Sequence, residues 1–133
     1  MTFILDQRLA GDTTEVCLLE LSYVGLMNDA RYPWLVLVPR QTGLIEISDL
    51  GEAGRGLLWR EVEHCCSVLR DLYPEAKINI GALGNIVRQL HVHVIARHEG
   101  DAAWPGPVWG AGDAVAYDDT VLGELLTRLR ERL

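Results

Sequence analysis

Short apolar runs broken by turn residues fill the first third of the chain, as CLLELSYVGLMND (17–29) and WLVLVPR (34–40), the latter closed by Pro39. Dense apolar runs bounded by turn signals read as strands. They predict strands near 16–21, 23–28 and 34–38, with Asn28, Asp29 and Pro33 reversing the chain between the last two. The period then changes. Leu58, Val62, Cys65, Leu69 and Leu72 recur at intervals of four and three, which marks one face of a long helix over 50–72. Asp49 and Glu52, three apart, resemble a capping box at its start, and Pro74 stops it. KINIGALGN (77–85) and RQLHVHVIAR (88–97) return to strand-like patterns. The tail DDTVLGELLTRLRERL aligns Leu122, Leu126, Leu129 and Leu133, with acidic residues first and arginines last, as the helix dipole favours. Strands grouped around one long helix, without regular strand-helix alternation, predict an α+β domain on a mostly antiparallel sheet.

Composition narrows this to one unit. At 133 residues and 49% apolar, the chain is expected to form a single domain over 1–133. It contains no run near the roughly 18 apolar residues that span a bilayer. MTFILDQRLA has no basic region ahead of its apolar residues. A soluble, cytoplasmic protein without membrane partners is the expectation. Cys17, Cys65 and Cys66 form no C-x-x-C motif and no even disulfide framework, so they read as packing residues in a reducing compartment. His64 beside the cysteine pair does not make a metal site, because adjacent helical residues diverge by about 100°. A formal charge of −7, with one Lys against eleven Arg, argues against extended nucleic-acid binding.

QLHVHVIAR (89–97) carries the candidate chemistry. On a strand, Gln89, His91, His93, Ile95 and Arg97 share one face, while Leu90, Val92, Val94 and Ala96 share the other and face the core. Two imidazoles then stand at intervals of roughly 7 Å, set by the strand rise. Three chemistries fit. His91 can attack phosphorus, with His93 binding the phosphate, if the other His91 ring nitrogen donates to a carbonyl. His91 and His93 can ligate a metal if a third ligand comes from His64, His98, Glu99 or Asp101. The pair can also simply pack on a half-exposed strand. Arg97 reads as a solvated strand end. Trp104 and Trp109 in AWPGPVWG wall a pocket or a subunit contact, or belong to a loop folded back on the core.

NIVRQLHVHVIAR, preceded by NIGALG and followed by WPGPVWG, resembles the histidine-triad (HIT) family of nucleotide hydrolases and transferases, in its bacterial diadenosine-polyphosphate-hydrolase-like branch. That family's signature is His-φ-His-φ-His-φ-φ, with φ apolar; Gln89-Leu90-His91-Val92-His93-Val94-Ile95 matches except at the first position. LSYVGLMNDARYPWLVLVPR resembles the strands that precede the family's long helix.

The resemblance implies a HIT-like fold, with about five mostly antiparallel strands, one long central helix and a short C-terminal helix. It implies a catalytic set of His91, His93 and Gln89: His91 attacks the α-phosphorus of a nucleotide derivative, water resolves the nucleotidyl-histidine, and His93 contacts phosphate oxygens. Asn28 falls where the family binds ribose, and Asn85 where a polar side chain lies near the phosphates. Three departures stand out. Gln89 replaces the first histidine, Ile86 stands where several members have a leaving-group Ser or Thr, and Trp34 stands where some have a ribose-side histidine. The expected substrate is a nucleotide phosphoanhydride or phosphoramidate, such as a diadenosine polyphosphate. No cofactor is expected, although a divalent cation can accompany a polyphosphate, and the implied assembly is a homodimer whose two sheets join into one. A nucleotide-binding module with little turnover, and a metal-binding protein using His91 and His93, are the alternatives.

Overall fold

A computed structural model describes residues 2–133. Helix α1 (Gln7–Asp12) leads into strands β1 (Thr13–Leu18), β2 (Ser22–Met27) and β3 (Trp34–Pro39), then α2 (Glu52–Leu72), β4 (Lys77–Gly81), β5 (Val92–Arg97) and α3 (Asp119–Arg132). The strands form one antiparallel sheet in the order β1-β2-β3-β5-β4, with β1 and β4 at its edges. The expected α+β architecture is therefore present, with every strand pair antiparallel.

One face of the sheet is covered by the long helix. Val24, Leu26, Leu35, Leu37, Val92, Val94 and Ala96 pack with Leu58, Val62, Cys65 and Leu69 of α2 and with Leu125, Leu126 and Leu129 of α3. The helical face read from periodicity is the face that is buried, and Leu72, Leu122 and Leu133 pack at its margin. Glu61 breaks the apolar pattern of α2 yet is buried. Its carboxylate accepts from the backbone amides of Leu21 (2.8 Å) and Ser22 (3.0 Å), so it caps the β1–β2 turn from beneath.

The other face is covered too, and this differs from a half-exposed strand. Val36, Val38 and Ile95 pack with Tyr23, Tyr32, Trp34, Leu9 of α1 and Val108 of the loop after β5. Helix α1 was not foreseen, because six residues show no period; Asp6 starts it by accepting from the Arg8 amide at 2.8 Å. The expected capping box at α2 is also absent. Gly51 is the N-cap, and Asp49 instead accepts from the amides of Ile45 and Glu46 to close a short 3-10 turn at Ile47–Asp49.

Candidate active site

His93 lies near the start of β5, paired across the sheet with Val36 on one side and Gly81 on the other. His91 precedes the strand. β5 begins at Val92 rather than 88 because the backbone just before it serves other partners: the Leu90 amide donates to Leu44 O at 3.0 Å, and Gln89 O meets the His91 ring. The two imidazoles converge to a centroid distance of 4.9 Å at 76°. Both are buried, at 7% and 5% exposure, and both line a cleft of about 590 Å³. That volume is within the usual range for small-molecule sites.

The Nδ1 partners separate the two rings. His91 Nδ1 is 2.7 Å from Gln89 O, and because a carbonyl only accepts, Nδ1 carries the proton. Nε2 of a neutral His91 then holds a free lone pair. At His93 the polarity is reversed. Trp34 Nε1–H donates to His93 Nδ1 at 2.9 Å, so a neutral His93 carries its proton on Nε2. Burial, and next the adjacent His91 ring, pull the His93 pKa down to about 3, which keeps it neutral. The pair thus offers one nucleophilic nitrogen and one N–H donor side by side.

Aromatic packing holds this arrangement. Trp109 lies edge-on to His93 at 5.3 Å and to Trp34 at 6.4 Å. Gly81 makes room for it, since a Cβ there would sit 2.7 Å from Trp109 Cη2. Trp109 therefore lines the cleft, whereas Trp104 covers Arg97.

The remaining sequence candidates take different places. Asn28 and Asn85 both line the cleft and are exposed; the Asn28 side chain accepts from the Tyr117 amide at 2.9 Å. Ile86, on the loop between β4 and β5, is 77% exposed beside them. The Gln89 carboxamide engages the N-terminal segment. It donates to Ile4 O (2.9 Å) and accepts from the Asp6 amide (2.8 Å).

Arg97 corrects its sequence reading. It is 1% exposed rather than solvated, because Asp101 pairs with it in bidentate fashion at 2.8 Å, Asn79 accepts from it, and Tyr32 and Trp104 flank it. The Arg97 guanidinium beside Asp101 holds that carboxyl down near about 2.

Several lining residues escaped the sequence reading. Arg8, Leu9, Gly11 and Asp12 come from α1. Buried Asp29 and half-buried Arg31 pair at 2.8 Å and strap the loop after β5: Arg31 donates to Ala111 O and Asp29 accepts from the Val115 amide. Burial raises the Asp29 carboxyl, but the bonds from Arg31 and Val115 outweigh it, and the net displacement is downward. The only available signal was the closeness of Asp29 and Arg31 in sequence, which turn chemistry explains equally well. Among the described residues, no cluster of three or more His, Cys, Asp or Glu side chains is placed to hold a metal ion.

The HIT domain family model matches residues 10–100. Among solved structures, a histidine triad protein of Bradyrhizobium japonicum is 44% identical, with a TM-score of 0.96 over 99% of this chain and 98% of its own. One from Sinorhizobium meliloti is 46% identical (TM-score 0.96, 99% and 98% covered). A third, from Marinobacter aquaeolei, is 40% identical (TM-score 0.97, 100% and 97% covered). No curated protein matches the chain.

Proposed function

The chain belongs to the histidine-triad family, whose members are generally nucleotide-binding hydrolases or transferases, and from that premise we propose that it hydrolyses a nucleotide phosphoanhydride or phosphoramidate with His91 as nucleophile. The observation that carries this reading is the opposite polarity of the two Nδ1 bonds. Gln89 O leaves the His91 Nε2 lone pair free, and Trp34 leaves His93 with an Nε2–H donor. In-line attack forms the bond between His91 Nε2 and phosphorus as the bond to the leaving group breaks, and the leaving group departs with that electron pair and takes up a proton from solvent. His93 donates to a non-bridging oxygen, where charge develops. Water then displaces His91 and releases the nucleoside monophosphate.

Asn28 and Asn85 bind the nucleotide along the cleft walls, with Asn28 on the ribose side and Asn85 near the phosphates. A diadenosine polyphosphate fits the same chemistry, with a divalent ion accompanying the polyphosphate. The homodimer belongs to the same reading. Strand β4 is an open edge carrying Ile80 at 45% exposure, whereas the β1 carbonyls of Glu15 and Val16 accept from Arg130. The three cysteines are free, as suits a cytoplasmic setting, and no helix among the described residues is long and apolar enough to cross a membrane.

Hydrolysis of a nucleoside 5′-phosphoramidate by the parent, abolished in His91→Ala while AMP binding persists, is the expected outcome. A parent that binds AMP without turnover would move the assignment to a binding module.

A further inference from the structure

We propose that Gln89 is a positioning residue whose side chain fixes the N-terminal wall of the cleft, next to the backbone carbonyl that orients the nucleophile; this rests on the nucleotide-hydrolase reading above. Its carboxamide bonds Ile4 O and the Asp6 amide, an acceptor and a donor two residues apart in an extended segment. A carboxamide matches that pair because its N–H donor and C=O acceptor diverge from one carbon. Held by its backbone, Asp6 uses its side chain to cap α1 at the Arg8 amide. Helix α1 then brings Arg8 and Asp12 to the cleft and buries Leu9 at 4% exposure. Among the described residues, Arg8 makes no side-chain hydrogen bond, which leaves its guanidinium available to a ligand. The main-chain carbonyl of the same Gln89 accepts from His91 Nδ1 at 2.7 Å.

Gln89 therefore joins two parts of the site: its side chain holds the wall, and its backbone holds the nucleophile. This gives the substitution of the family's first histidine a positive role. An imidazole presents one donor and one acceptor on opposite sides of a ring, and it loses the acceptor on protonation, so it cannot span Ile4 O and the Asp6 amide as a carboxamide does.

The test compares Gln89→Ala and Gln89→His with the parent in two measurements. The first, amide hydrogen exchange over residues 3–9 of the ligand-free protein, needs no substrate. Exchange at Asp6 is expected to be slow in the parent, fast in Gln89→Ala and intermediate in Gln89→His. The second is the split between KM and kcat for a nucleoside 5′-phosphoramidate, with AMP affinity by calorimetry alongside. Gln89→Ala is expected to raise KM and the AMP Kd by about fivefold or more, with kcat changed less than KM, because the His91 contact is made by the backbone and survives. Equally slow Asp6 exchange in Gln89→Ala would overturn the proposal. So would a lower Tm with unchanged KM and AMP affinity, which would mark the contact as merely structural. A parent without turnover would refute the hydrolase reading, while Gln89 would still be judged on exchange and AMP affinity.

Discussion

The two imidazoles of the site differ in what meets Nδ1, a carbonyl at His91 and an indole N–H at His93. Trp34→Phe keeps an aromatic ring against Tyr32 but removes the donor and leaves part of the buried indole volume empty. It is expected to lower kcat/KM by about tenfold, on the order of one hydrogen bond, and to lower thermal stability through the lost packing. Steady-state kinetics set against a melting curve separates the two. His93 also carries a stability consequence. The unfolded chain takes up a proton near the ordinary imidazole value of 6.5, whereas the folded His93 does so only near about 3. Its contribution is thus complete above pH 6.5 and lost as pH falls toward 3, at up to about 1.4 kcal/mol per pH unit. Denaturant titrations from pH 7 to 4 should show a slope that His93→Gln flattens. An equal slope in the variant would place the effect elsewhere.

Among the elements, those with a period were legible and those held by distant partners were not. Leu58, Val62, Cys65 and Leu69 announced α2, because burial against a sheet demands one apolar stripe. The alternation of Leu90, Val92, Val94 and Ala96 likewise marked the core face leading into and along β5. No local pattern could announce the Trp34–His93 bond, whose partners are 59 positions apart, or the burial of Arg97 by groups in β4, the β2–β3 turn and the loop that follows. The motif's two histidines line the cleft, and tertiary contacts decide how their rings are polarised. Two substitutions test element-level contacts. Glu61→Ala strips two buried amides of their acceptor and is expected to cost about 2–3 kcal/mol in chemical denaturation, with kcat nearly unchanged. Gly81→Ala forces Trp109 off His93, so activity should fall further than stability; the reverse order would show that Trp109 matters only for packing.

At the scale of the whole molecule, the sheet packs apolar clusters on both faces, and α1, the β4–β5 loop and the strap after β5 build one cleft over the histidines. The open β4 edge is where a second copy is expected to pair. Light scattering at micromolar concentration should give a dimer for the parent, and Ile80→Asp should shift it toward monomer. A parent that is monomeric throughout would contradict that assembly. His91 and His93 both line that cleft, and the proposed function makes His91 its nucleophile. The most direct test of that role is mass spectrometry of the protein quenched during turnover of a nucleoside 5′-phosphoramidate. A nucleotidyl adduct mapped to His91, and absent from His91→Ala, is the expected result. Hydrolysis that continues undiminished in His91→Ala, or an adduct on another residue, would contradict it.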